Sequence, residues 1–125
     1  MRNPNAKHIN FDFMQGVIED SPLWLGCNID MCCERNGQFF FAEWKRPNEE
    51  LPKGQEILLK TLSLNPNCFV YIIDGWSDET GTKIYTITRW YGKSTLVVGY
   101  SVTYLQQLLR RFYNWASRLP SPNKF

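Results

Sequence analysis

Apolar positions along the chain change their period several times. Ile9, Phe13 and Val17, with Phe11, Met14 and Ile18 beside them, recur at helical spacing and predict a first helix over 8–20 that ends before Ser21-Pro22. Residues 24–33 and 38–45 read instead as two β-strands about the turn residues Asn36-Gly37. Pro47 and Pro52 bracket a polar loop, and 52–63 predicts a second helix with Gln55, Leu58, Leu59 and Leu62 on one face. The run NCFVYIIDG, 67–75, is continuously apolar and closed by Gly75, the pattern of a strand buried on both faces. Strand, helix and buried strand in that order predict a right-handed parallel crossover. A polar loop over 76–82 leads to KIYTITRWY and TLVVGY, which predict a hairpin about Gly92-Lys93. Over 102–118, Leu105, Leu108, Leu109, Phe112 and Ala116 form the apolar stripe of an amphipathic helix. Gln106, Gln107, Arg110, Arg111, Asn114 and Arg118 lie mainly off that stripe, and the tail PSPNKF is expected to fray.

At 125 residues and 43% hydrophobic content the chain can fill one core, which predicts a single domain over 1–125. No apolar run approaches the roughly 20 residues that cross a bilayer, and MRNPNAKHIN lacks a secretory pattern. The expectation is an intracellular protein, cytoplasmic or in the host cytoplasm if virus-encoded, with no membrane partner. Cys27, Cys32, Cys33 and Cys68 offer no CxxC pair, and the only histidine, His8, lies far from them in sequence. Reduced, mostly buried thiols are expected, with His8 an ordinary helix-edge residue.

The formal charge of +2 conceals a division along the chain. Residues 1–79 carry all 12 acidic groups and 7 of the 14 basic ones, a net −5, whereas residues 80–125 carry the other seven basic groups and no acid. A basic C-terminal third is the electrostatic footprint of a polyanion partner such as nucleic acid, against the plainer reading of a solvated basic face.

Chemistry concentrates in "NIDMCCERNGQFFFAEWK", 28–45. If Asn36 and Gly37 are the two central residues of a type I′ turn, Arg35 pairs with Gln38 and Asp30 faces Glu43. A four-residue turn over Glu34–Gly37 would instead pair Glu43 with Asn28, with the two carboxylates diagonal. Like charges so placed are destabilising unless a cation reconciles them, and an all-oxygen set suits Mg²⁺ or Mn²⁺. Strand alternation puts Glu43 and Lys45 on one face and Trp44 on the other. Metal, carboxylates and lysine together point to phosphodiester hydrolysis. A salt bridge from Asp30 or Glu43 to Lys45 is the simpler account, but it leaves one carboxylate over. Consecutive Phe39, Phe40 and Phe41 predict a strand buried on both faces and central to its sheet.

Asp30, Glu43-Trp44-Lys45 and Gln55 opening a leucine-rich helix resemble the PD-(D/E)XK nuclease superfamily. "AEWKRPNEELPKGQEILLKTL" is most similar to VRR-NUC and Holliday junction resolvase-like nucleases, and the resemblance spans about 28–75. It implies an α/β (α+β), restriction-endonuclease-like mixed central sheet flanked by helices, with a core at about 8–75 and a C-terminal hairpin and basic helix at about 83–118. It further implies metal ligation by Asp30, Glu43 and the Trp44 carbonyl, a catalytic Lys45, and Gln55 orienting lysine, water or substrate. The simpler account of Gln55 is a polar residue satisfying its helix N-terminus. The chain departs from the family in having Ile29 where the motif has proline. Asp12, Glu19 and Asp20 are all candidates for a further acidic ligand.

The expected function is a Mg²⁺- or Mn²⁺-dependent DNA nuclease, structure-selective for junction, flap or branched DNA. Arg89, Lys93, Arg110, Arg111 and Arg118 are the expected phosphate contacts, with Trp90 and Tyr91 available for stacking. Symmetric cleavage by so small a domain calls for a homodimer. The alternatives are a nuclease-like DNA- or protein-binding module that does not cut and, more remotely, a cysteine-based metal or redox protein.

Overall fold

The computed structural model describes residues 9–121. Asn36 and Gly37 adopt φ of 48° and 79°, the left-handed backbone a type I′ turn demands, and so join β1 (Met31–Arg35) to β2 (Gln38–Lys45) with Arg35 opposite Gln38. The two-residue turn is therefore the one formed. The Asn36 amide also donates to the carbonyls of Ala116 (3.1 Å) and Leu119 (3.4 Å), while Arg35 Nε donates to Ser117 Oγ at 2.8 Å. Turn and C-terminal helix are thus tied together. Replacing Asn36 with alanine is expected to cost about 1–3 kcal/mol, because a Cβ-bearing residue lacking the local amide is strained at this φ and both helix contacts are lost. A lower urea midpoint at unchanged slope would register that loss.

β2 runs parallel to β3 (Cys68–Asp78), and α1 (Lys53–Ser63) makes the crossover between them. β4 (Gly81–Tyr91) and β5 (Ser94–Gly99) follow antiparallel, giving a five-stranded mixed sheet in the order β1-β2-β3-β4-β5. The last hairpin turns at Gly92-Lys93, with Gly92 at φ 62°. α2 (Val102–Ser117) starts at Ser101, whose hydroxyl accepts from the Tyr104 N–H at 3.1 Å. The molecule is one small α/β domain. Sheet alternation divides its core: Leu59 of α1 packs with Val70 and Ile72, whereas Leu105 of α2 packs with Phe40, Ala42, Tyr71, Ile73, Ile84 and Ile87. The two helices therefore cover opposite faces.

Several expectations need correction. The stretch expected to form a first helix contains only a 3-10 turn, Phe11–Met14. Ile9, Phe13, Val17 and Ile18 are exposed and Gly16 takes φ 75°, so the helical period meets no surface that would bury it. His8 lies outside the described residues. The first strand begins at Met31 rather than at 24. The segment expected as a loop over 76–82 is mostly strand: β3 and β4 continue to a tight turn at Glu79-Thr80. Cross-strand pairing of Ser77 Oγ with Thr82 Oγ1 (2.7 Å) and acceptance by Asp78 from Thr80 supply its polar bonds. β2 is interior but one place from the edge, and β3 is the middle strand. Cys27, ahead of β1, and Cys32, on the edge strand β1, are exposed, whereas Cys33 and Cys68 are half-buried. Desolvation, then the neighbouring Cys33 and Cys68, push the Cys32 thiol above its ordinary pKa, and desolvation alone raises that of Cys68. Both stay protonated at neutral pH.

Candidate active site

The register that places β2 beside β3 brings the chemistry to one end of the α1 face. Glu43 stands against Ile72 and Lys45 against Asp74, so both carry their side chains on the side covered by α1. Glu43 is 3% exposed, the one buried charged residue among those described. Its Oε2 accepts from Gln55 Nε2, which also donates to the Asn28 carbonyl at 2.9 Å. Gln55 sits in the first turn of α1 and points to the sheet because it shares the stripe of Leu59. Its amide bridges the β1 approach to β2, and it does not serve as a helix cap.

The β1–β2 ladder ends at Met31 opposite Ala42, one pair short of Asp30 and Glu43. Asp30 lies in a bend, and its Oδ2 accepts the Trp44 N–H at 2.9 Å. The carboxylate thereby substitutes for the next ladder bond and stays next to Glu43 along β2. Asp30, Glu43, Trp44, Lys45 and Gln55 line one open cleft of about 520 Å³, together with Arg46, Glu49, Asp74's neighbours Gly75 and Trp76, and Asp78.

Lys45 Nζ pairs with Asp74 Oδ1 at 2.7 Å, the two side chains being 19% and 26% exposed. Asp74 Oδ2 accepts in turn from Thr86 Oγ1 at 3.1 Å. Sequence reasoning missed Asp74, and the available signal was its position at the end of the buried run, in the parallel strand beside Lys45. The alternative salt bridge from Lys45 to Asp30 or Glu43 is replaced by this one. Asp12, Glu19 and Asp20 are exposed and none lines the cleft.

The expected phosphate contacts are not gathered at this cleft. Arg110 and Arg111 are exposed on α2, which covers the other face, and Arg118 follows α2 beside the Asn36 turn. Seven residues of β2, about 23 Å of strand, separate that turn from Lys45. Lys93 lies in the β4–β5 turn near the far end of α1, where Gly92 N–H reaches Ser63 Oγ at 2.7 Å. Arg89 is half-buried on the α2 face, its guanidinium over Tyr91 (4.3 Å) and Phe69 (5.1 Å). Trp90 packs under α1 with Leu59, Val70 and Ile72, leaving Tyr91 the exposed one of that pair. Arg46, which lines the cleft beside Lys45, and Lys83, opposite Trp76 on β4, were not expected as phosphate contacts from the sequence.

Among the described residues no group of three His, Cys, Asp or Glu side chains is arranged to hold a metal ion, and no helix is long and apolar enough to cross a membrane. Comparison with protein-family models, with curated proteins and with solved structures finds no significant match.

Proposed function

We propose that the protein is a metal-dependent DNA nuclease of restriction-endonuclease-like fold, hydrolysing phosphodiester bonds at the cleft formed by Asp30, Glu43, Lys45 and Gln55. The observation that carries this reading is the nearly complete burial of Glu43 beside Lys45, with a helix glutamine turned onto the carboxylate. Carboxylate and ammonium groups gathered at one cleft are the chemistry that phosphodiester hydrolysis with a divalent cation uses.

The donor chemistry fits Mg²⁺ or Mn²⁺. Asp30 and Glu43 are hard oxygen donors, and such cations are commonly held by one or two carboxylates with water, backbone carbonyl or substrate phosphate oxygens completing the shell. A two-carboxylate site accordingly needs no third acidic side chain, and the Trp44 carbonyl is the backbone oxygen nearest in sequence. When bound, the cation would supply Lewis-acid stabilisation of the phosphoryl group. The remaining work falls to the chain. Gln55 holds the Glu43 carboxylate in one orientation, and Asp30 fixes the backbone at Trp44. Asp74 steadies the Lys45 ammonium, which donates to a non-bridging phosphate oxygen as negative charge grows there. A homodimer would place two such clefts on the two strands of a duplex or junction.

The Lys45–Asp74 ion pair favours a second reading, a binding module that does not cut, since it gives the lysine a structural partner. Incubation with junction, flap, single-stranded and blunt duplex DNA in Mg²⁺ or Mn²⁺ separates the two. Cleavage that stops on addition of EDTA and returns with excess divalent cation is expected; no cleavage of any substrate by the purified protein would leave the binding module.

A further inference from the structure

The cleft continues past Lys45 onto an aromatic surface. Trp76, two residues beyond Asp74 on β3, also lines an adjoining cavity of about 370 Å³ with Arg46, Pro47, Asp78 and Tyr85. Both rings are accessible, Trp76 at 40% and Tyr85 at 46%, whereas Tyr71 on the same strand is buried.

Tyr85 reaches this cavity through a defect in the ladder. Asp74 faces Thr86 and Gly75 faces Ile84, so Tyr85 is the additional residue of a β-bulge. Gly75 makes the close approach possible, since a Cβ there would collide with the Lys83 carbonyl oxygen. Bulges are frequent beside active sites because they re-aim a side chain without dissolving the sheet. The cations flank the rings: Arg46 directly follows Lys45, and Lys83 Nζ stands 5.4 Å from the Tyr85 ring centre. The one acid in this cavity lining, Asp78, is turned to its own hairpin, accepting from Thr80 N–H (2.8 Å) and Oγ1 (2.5 Å).

We propose that Trp76 and Tyr85 form a stacking platform for an unpaired nucleobase adjacent to the phosphate held at Lys45, so that the strand engaged is single-stranded beside the bond to be cut. This rests on the phosphodiesterase reading above. Asp74 and Trp76 are separated by about 7 Å of strand, roughly two nucleotides of a stacked chain. A cavity of this size belongs to the range of small-ligand sites, about 300–1,000 Å³, and suits one base rather than a protein surface. Within a duplex each base is already stacked on both faces, so only an unpaired or terminal base can lie on these rings. Stacking on an aromatic side chain contributes about 1–3 kcal/mol per base with little sequence preference. Arg46 and Lys83 would meet the flanking phosphates.

Binding without cleavage tests the platform. Fluorescence anisotropy is measured for the wild-type protein in EDTA with a labelled 12-nucleotide single strand and with a blunt duplex of equal length. The single strand is expected to bind more tightly. Adding Trp76→Ala or Tyr85→Ala should weaken single-strand binding by about 5- to 150-fold, with little effect on the duplex, and Trp76→Phe should retain most of the affinity. Equal single-strand affinity in the alanine variants, preference for the duplex, or no oligonucleotide binding would overturn the proposal. Because neither metal nor turnover enters, the measurement is independent of the hydrolase reading. Trp76-dependent single-strand binding by a wild type that never cuts would support the platform in a non-cutting protein.

Discussion

On the nuclease reading proposed above, Lys45→Met is expected to slow cleavage by at least about a hundredfold while the domain stays folded. Methionine keeps the unbranched stem and removes only the ammonium. That charge is held at 2.7 Å from Asp74, in a partly desolvated position, with its orientation set before substrate arrives. A preorganised donor of this kind, aimed at charge that develops in the transition state, is commonly worth about 10²–10³ in rate. Folding should suffer much less, by about 1–2 kcal/mol, because Asp74 keeps its bond from Thr86 and is not fully withdrawn from water. Single-turnover cleavage in Mg²⁺ or Mn²⁺, run beside a thermal melt of the same preparation, reads both quantities. An unchanged rate in a folded variant would assign Lys45 to the ion pair alone and remove it from the chemistry.

Phe40→Ala should produce the largest loss of stability, about 3–5 kcal/mol. Phe40 is fully buried, stacked on Tyr71 with ring centres 4.6 Å apart and met edge-on by Phe112 at 5.6 Å. Removing the ring empties the junction of β2, β3 and α2, and the sheet backbone on either side limits how far the site can collapse. Against a total stability of the order of 5–15 kcal/mol, that is a large fraction, and the melting temperature should fall by roughly 10–20 °C. Phe41→Ala on the opposite face is the useful comparison. Phe41 is only half-buried and should cost less, whereas equal losses would mean that the α2-side core is not the principal one.

Lys45 and Phe40 stand five residues apart on β2 and on opposite faces of the sheet, and both were legible for the same reason. The period of two along β2 assigns Phe40 to one face and Glu43 and Lys45 to the other as soon as the strand is recognised. Asn36-Gly37 sets the hairpin register because few residue pairs tolerate two successive positive φ values. Gln55 is legible through the helical stripe it shares with Leu59. Asp30 was legible only in part: it lines the cleft with Glu43, yet its side chain serves the Trp44 N–H and the ladder ends one pair short of it.

The N-terminal segment shows the opposite case. Its 3.6-residue period is real, but periodicity predicts a helix only where some surface accepts the apolar face, and Ile9, Phe13 and Val17 remain exposed. The basic C-terminal third was equally visible as composition, while its location was not. Charge along a helix says nothing about which face of the sheet the helix covers.

What the sequence determined by itself was therefore local. It specified the turn, the alternation that sets Glu43 beside Lys45 and the helix face bearing Gln55. Tertiary structure alone decided that Asp74 pairs with Lys45, that a bulge at Gly75 turns Tyr85 towards Trp76, and that α2 carries its arginines away from the cleft. Local features follow from backbone sterics and side-chain period within a few residues. Lys45 and Asp74 lie 29 residues apart and α2 begins 57 residues after Lys45, so no short window contains both partners, and Trp76 and Tyr85, though nine residues apart, meet only through the shifted β3–β4 register.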